Sequence, residues 1–171
     1  MALPRKLKNF NLFNDANSYM GMVKSITLPK LAIKTESYRG GGMPGTIDVD
    51  MGLSDDAITL EWTLGGFDTI ALSQFGQTSA GAVPLRFNGA VQRDDTGETV
   101  GVEINVRGFH KEIDMGDAKP GDDTEHKYTT TCSYYKLSID GSDIIEIDQV
   151  NMVFNVNGED RLEDIRSALG L

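Results

Sequence analysis

The chain has 171 residues, of which 39% are hydrophobic and 25% charged, with a formal net charge of −10. That length supports one domain spanning residues 1–171 with a core that buries roughly 70% of the unfolded surface, and it leaves little room for a second domain. The acidic balance argues against nucleic-acid binding as a primary task, and no apolar run reaches the roughly 20 residues of a bilayer span or follows the basic start as a signal peptide would, so no membrane anchor is expected.

The two signs of charge are segregated. Residues 1–39 carry Arg5, Lys6, Lys8, Lys24, Lys30, Lys34 and Arg39 against Asp15 and Glu36, a net of +5, which leaves −15 for residues 40–171. A basic arm on an acidic body is self-complementary between copies, because such fields steer association and fix orientation. The alternative is that the basic N-terminus folds back on its own acidic domain. The stretch after Thr27 holds Leu28, Leu31 and Ile33 and then Tyr38-Arg39-Gly40-Gly41-Gly42-Met43. Three consecutive glycines lose more backbone entropy on ordering than any other triplet, so an apolar and basic excursion tipped this way points to a partner surface. A plain flexible hairpin tip is the competing reading. Residues 1–45 are thus expected to contain an extended basic assembly arm.

Further along, Ile47, Val49 and Met51 alternate with Thr46, Asp48 and Asp50, and Ile58, Leu60, Trp62 and Leu64 alternate with Thr59, Glu61 and Thr63. Both runs read as half-exposed strands, joined through Gly52–Asp56 as an antiparallel hairpin with one wet acidic face. Asp68 is placed to cap a short helix that Gly76 stops. Val83, Leu85, Phe87 and Val91 form one arm of a second hairpin, and Val100, Val102, Ile104 and Val106 form the other, around Asp94-Asp95-Thr96-Gly97. Residues 111–125 read as a polar loop. His126–Ile139 is a long strand whose inward set changes parity between Cys132 and Tyr135, as a β-bulge requires. Asp140-Gly141 turns into Ile144–Asp148, Val150–Val156 alternates again, and Leu162, Ile165 and Leu169 mark an amphipathic terminal helix over Asp160–Leu169. The expected fold is mainly β (α+β): an antiparallel β-sandwich or barrel with a short central helix, a short C-terminal helix and a long N-terminal arm or hairpin.

Chemistry is sparse. His110, read as a loop-edge imidazole, and His126, at a strand start, have no nucleophile or orienting partner nearby in sequence, so no enzyme and no cofactor is expected. Glu112, Asp114, Asp117, Asp122, Asp123 and Glu125 lack the spacing of an EF-hand, and no metal is expected there. A monomeric β-sandwich that binds a ligand through the acidic 111–125 loop remains the alternative. Gly40-Gly41-Gly42 is no phosphate loop, since no Gly-Lys-Ser/Thr follows. Cys132 is unpaired in sequence and fits a buried thiol made in a reducing cytoplasm.

Several segments, in order along the chain, resemble the major tail tube proteins of contractile-tailed bacteriophages and of prophage-derived contractile bacteriocins. They include Pro4-Arg5-Lys6-Leu7, Ser25-Ile26-Thr27-Leu28-Pro29-Lys30-Leu31, Tyr38-Arg39-Gly40-Gly41-Gly42-Met43, Asp50-Met51-Gly52-Leu53, Lys111-Glu112-Ile113-Asp114, Tyr134-Tyr135-Lys136-Leu137, Val156-Asn157-Gly158 and Leu169-Gly170-Leu171. The resemblance implies a protomer of hexameric rings stacked into a tube inside a contractile sheath. The implied partners are other copies of the chain, the sheath protein, a tape-measure protein, the baseplate and terminator proteins; DNA passes through the lumen without specific binding. The implied location is the virion tail, assembled in the host bacterial cytoplasm. Under it, Arg5, Lys6, Lys8, Leu28, Leu31, Ile33, Tyr38, Arg39, Gly40, Gly41, Gly42 and Met43 are the expected inter-subunit contacts, and Asp48, Asp50, Glu61 and Glu103 are expected to line the lumen.

Overall fold

The computed structural model describes residues 1–56 and 58–171. Along the described residues run β1 (Lys6–Asn14), β2 (Asn17–Ser18), β3 (Val23–Thr27), β4 (Ile33–Tyr38), β5 (Ile47–Leu53), β6 (Thr59–Leu64), α1 (Thr69–Ser73), β7 (Val83–Gln92), β8 (Thr99–Asp114), β9 (His126–Ile139), β10 (Ser142–Asp148), β11 (Val153–Val156), β12 (Glu159–Asp160) and α2 (Glu163–Ala168). Ten strands form one antiparallel system in the order β12-β11-β10-β9-β8-β7-β1-β2, with β6 on β9 and β3 on β6, while β4 and β5 form a separate two-stranded sheet. The mainly antiparallel β architecture expected from the alternating patterns is present.

Two long strands fold this system onto itself. Val102–Arg107 of β8 pairs with the second half of β9, the register slips at Gly108, and the rest of β8 pairs with Lys127–Cys132. The first half of β9 also holds β6, and the second half holds β10. The slip leaves Ser133 as the extra residue between Cys132 and Tyr134. It is the bulge that the change of parity demands: Tyr128, Thr130 and Cys132 are buried before it, and Tyr135 after it. Gly108 sits where the strands bend closest, and a Cβ there would lie 1.9 Å from the Thr131 carbonyl oxygen. No other residue fits without moving backbone.

Leu12, Leu85, Phe87, Ile104, Val106, Tyr135 and Ile147 from the long sheet meet Leu60, Trp62, Leu64 and Tyr128 in one core cluster. Trp62 stacks on Tyr128 with ring centroids 4.2 Å apart. Cys132 is buried, and burial pushes its thiol pKa up to about 12, so it is unreactive at neutral pH. The second hairpin pairs as expected, from Val83↔Gly108 to Gln92↔Thr99. Asp140 and Gly141 have φ of 52° and 78°, the two positive values that a tight hairpin turn requires. Asp68 caps α1 by accepting from the Ala71 amide at 2.9 Å.

Several expectations need correction. β5 pairs with β4, not with β6, so the proposed Ile47–Leu64 hairpin does not exist. β8 runs to Asp114, which shortens the polar loop to residues 115–125. The last alternating strand begins at Val153 and the terminal helix at Glu163. Within the first 45 residues, β1 and β3 are built into the main sheet, and β4 belongs to the separate β4–β5 hairpin. Its root is fixed by Ser54 N–H donating to the Ala32 carbonyl at 2.9 Å and Ile58 N–H to the Lys30 carbonyl at 3.2 Å. Ile58 holds a φ of 59° with its side chain fully buried. A β-branched residue there costs about 1–2 kcal/mol, offset by burial and by the bond its carbonyl accepts from Cys132 N–H at 3.0 Å.

Candidate functional site

The β4–β5 hairpin has two unlike faces. Its register, Tyr38↔Ile47, Ser37↔Asp48, Glu36↔Val49 and Thr35↔Asp50, puts Tyr38, Ile47, Val49 and Met51 on one side with Glu36 and puts Thr35, Ser37, Asp48 and Asp50 on the other. The four apolar side chains are 39–58% exposed. A two-stranded ribbon is at best marginal in water, and a row of wet apolar side chains on one face marks a surface that another body covers. On the polar face, Ser37 Oγ donates to Asp48 Oδ1 at 3.2 Å.

At the tip, the glycines do separate jobs. Gly42 has a φ of +82°, and a Cβ on Gly40 would lie 3.0 Å from the Tyr38 hydroxyl oxygen, whereas Gly41 meets nothing. The Gly40 amide points at the Met43 sulfur at 3.0 Å, and Met43 N–H donates to the Gly40 carbonyl at 3.3 Å. The tip is therefore an ordered turn with Arg39 exposed beside it. Leu28 and Leu31 are exposed in the segment that leads into β4. At the root, Ile33, Met51 and Leu53 line one side of a groove of about 850 Å³ whose other side is Phe154, Leu162 and Ile165. Ile33, Tyr38, Arg39, Gly40, Gly41, Gly42 and Met43 thus lie together on the β4–β5 hairpin and its tip.

The N-terminal cations are not on it. Lys6 and Lys8 lie on β1, Arg5 just before it; Lys8 Nζ is 2.7 Å from Asp94 and Arg5 is 3.7 Å from Glu98. The basic start folds back on its own domain, the alternative that charge alone left open. The lumen candidates also separate. Asp48 and Asp50 share the polar face of the hairpin, Glu61 faces out from β6 opposite Thr129, and Glu103 lies on β8 opposite Asn88 and Ser138, accepting from Asn105 Nδ2 at 2.8 Å. The four are carried by three parts of the fold, the β4–β5 hairpin, β6 and β8.

Around the acidic loop, as elsewhere among the described residues, no three His, Cys, Asp or Glu side chains converge as a metal would need. The Lys24 ammonium instead bridges Asp123 and Glu125, 2.9 Å from the latter, and its hydrogen bond to Asp123 holds that carboxyl below its usual range.

Sequence reading missed a buried polar relay. His110 is not at a loop edge but on β8, 3% exposed. Trp62 Nε1–H donates to Thr130 Oγ1 at 3.1 Å, so the Thr130 hydroxyl is free to donate to His110 Nδ1 at 2.9 Å. His110 Nε2–H then donates to Gln74 Oε1 at 3.0 Å, and Gln74 Nε2–H to Asn14 Oδ1 at 2.8 Å. Asn14 Nδ2 donates to the Tyr19 oxygen at 3.1 Å, and the Tyr19 hydroxyl to Asp68 Oδ2 at 2.6 Å. The direction of donation fixes His110 as the neutral Nε2–H tautomer, and burial lowers its pKa to about 4. Burial, reinforced by the Asp68 bond, raises Tyr19. Both ring nitrogens of His110 are consumed in holding α1 to the core. The residues come from seven distant positions, and only their sequence-adjacent pieces, such as the Asp68 cap, carry a local signal.

Comparison with known proteins gives a consistent result. The family model described as phage tail tube protein FII matches residues 4–170. The tail tube protein of Escherichia phage P2 is 54% identical over 172 residues, covering 100% of each chain. The major tail tube protein of Serratia phage KSP20 is 40% identical over 172 residues, covering 100% of this chain and 99% of that one. The fold is shared with a chain of the sheath–tube complex of an extracellular contractile injection system, PVC, in its extended state, at a TM-score of 0.55 and 13% identity over 79% of this chain and 91% of that one. A chain of the anti-feeding prophage baseplate gives a TM-score of 0.56 at 11% identity over 81% and 97%.

Proposed function

The chain belongs to the phage tail tube protein FII family, and from that premise we propose that it is the structural subunit of the inner tube of a contractile phage tail, assembling into hexameric rings that stack through the β4–β5 hairpin. The lumen is the conduit for DNA and for a tape-measure protein; a sheath surrounds the tube, and baseplate and terminator proteins close its ends. Assembly takes place in the host cytoplasm, and the mature location is the virion. The subunit makes and breaks no bond. Support for this last point comes from His110, whose two ring nitrogens are both committed to structural partners.

One observation carries the stacking role: a projecting ribbon whose apolar face, Tyr38, Ile47, Val49 and Met51, stays 39–58% exposed in its own protomer. Hiding roughly 300 Å² of such surface contributes several kcal/mol at about 25 cal/mol per Å², before ordering costs. Closure strengthens each contact, since a copy in a tube is held by more than one neighbour. Asp48 and Asp50 on the other face, with Glu61 and Glu103, supply negative charge that repels a DNA backbone where they face the lumen.

Deleting Thr35–Thr46 tests the reading by electron microscopy. The expected product is a folded, soluble protein that no longer forms tubes. Tubes of normal length from the deleted protein overturn the stacking role; loss of the fold shows that the hairpin belongs to the intramolecular core.

A further inference from the structure

A tube is held in two directions, along its axis and around its circumference, and each direction needs its own heterologous contact. The hairpin serves the axis. We propose that the surface around α1 is the circumferential seam, docking the opposite end of the same sheet in a second copy of this chain; the proposal rests on the tube reading above.

Residues 65–82 contain one charged side chain, Asp68, in a chain that is 25% charged. Charge depletion of this kind is the compositional mark of an interface core. On this surface Phe67, Ile70 and Phe75 stand exposed, with Met20 and Met22 beside them, all 37–76% accessible. Gly65 N–H donates to the Met22 carbonyl at 2.9 Å, which ties the methionine segment to the lead-in of α1. The Phe67 ring stands edge-on over buried His126 with centroids 4.4 Å apart, so the aromatic is held in place.

The helix beneath is five residues long, far too short to hold itself. What holds it is the relay described above, which grips both ends: Asp68 through Tyr19, and Gln74 through Asn14 and His110. A buried network spent on one short surface helix makes sense if that helix must present its apolar side chains rigidly, because preorganisation lowers the cost of binding.

Topology names the other half of the contact. Bonds to Asn14 and Tyr19 tie α1 to the β1–β2 side of the sheet and the bond to His110 ties it to β8, while the end of the strand order away from β1–β2 is β11–β12. There α2 is pinned by Arg166, which donates to the Met152 carbonyl at 2.7 Å and pairs with Asp160. Arg161 and Glu159 pair at 3.2 Å, and Glu163 and Asp164 add negative charge in the first turn of α2. Val150, Ile165 and Leu169 remain exposed. Apolar patches at the two ends of one sheet are the arrangement that closes a ring head to tail.

Two double variants test the seam, each spoiling one end: Phe67→Ser with Phe75→Ser, and Val150→Asp with Leu169→Asp. All four side chains are partly or largely exposed, so unchanged circular dichroism and melting are expected. With Val49→Asp added throughout to remove the axial contact, each variant alone should stay monomeric in sedimentation velocity where Val49→Asp alone forms rings, and an equimolar mixture should stop at dimers, because only one intact seam can form. As a check that leaves the surface nearly native, Phe75→Cys with Leu169→Cys should cross-link with a bifunctional thiol reagent into a ladder ending at the ring, since Cys132 is buried. Variants that assemble like Val49→Asp alone, or a mixture that stays monomeric, overturn the seam alone. Wild-type protein that never assembles overturns the tube reading and the seam with it.

Discussion

β4–β5 and β7–β8 are both antiparallel hairpins with one apolar face, and they meet opposite fates. Val83, Leu85 and Phe87 of β7, with Val100, Ile104 and Val106 of β8, turn inward and are buried; Tyr38, Ile47, Val49 and Met51 of β4–β5 turn outward and stay wet. β5 alternates apolar and polar residues as β7 and β8 do. Alternation therefore says that a strand has a face to bury, and only the register with its neighbours says whether its own chain or another copy buries it. On the proposed reading, β7–β8 works for the fold and β4–β5 for the assembly.

That division predicts which substitutions are felt before assembly and which only during it. The largest effect is expected in the body at Gly108→Ala, where a methyl group 1.9 Å from a carbonyl oxygen forces the β8–β9 bend apart. Loss of at least about 3 kcal/mol is expected, read as a collapse of the urea midpoint. Next comes Phe87→Ala, at about 3–5 kcal/mol from the cavity it opens. By contrast, Val49→Asp should move protomer stability by less than about 0.5 kcal/mol while abolishing tubes in electron micrographs. If Val49→Asp instead unfolds the protein as Phe87→Ala does, the contrast between the two hairpins is lost.

A smaller effect concerns pH. His110 has its pKa lowered in the fold, so the unfolded chain takes up the proton first as pH falls. The stability contributed by the neutral ring is complete above about pH 6.5 and is lost as pH drops toward about 4. Denaturation midpoints between pH 7.5 and 4.5 should fall less steeply in His110→Gln than in the wild type. Equal slopes would mean that the relay does not govern this range.

The smallest effect is electrostatic. With Arg5 and Lys8 paired to Glu98 and Asp94 of their own body, reversing their charges should cost below about 1 kcal/mol of stability and should slow tube growth little at any salt concentration. Strong slowing confined to low salt would restore them to the interface.

How much of this could be read from the chain follows the range of the interactions. Hairpin β7–β8, the Asp68 cap, the Asp140-Gly141 turn and the bulge near Ser133 were readable because each is written in a few adjacent residues. Strand partners were not: Ile47–Leu53 has the same alternation whether it pairs with β4 or β6, and the short Gly52–Asp56 link suggested the wrong neighbour. The relay through Asn14, Gln74 and His110 joins positions up to 96 apart, so no local pattern betrays it. In the candidate site, the glycine tip and its apolar flanks are legible as a run of adjacent residues, whereas charge composition does not say which acid a lysine meets, so the pairs of Arg5 with Glu98 and of Lys8 with Asp94 are not.

Amide exchange across Ile33–Leu53, measured before and after assembly, addresses the central claim most directly. In the free protomer this marginal ribbon should exchange rapidly, far ahead of β8 and β9, and in assembled particles it should become strongly protected. Unchanged, fast exchange of these amides in intact tubes would contradict the account, because the hairpin would then have no neighbour to cover it.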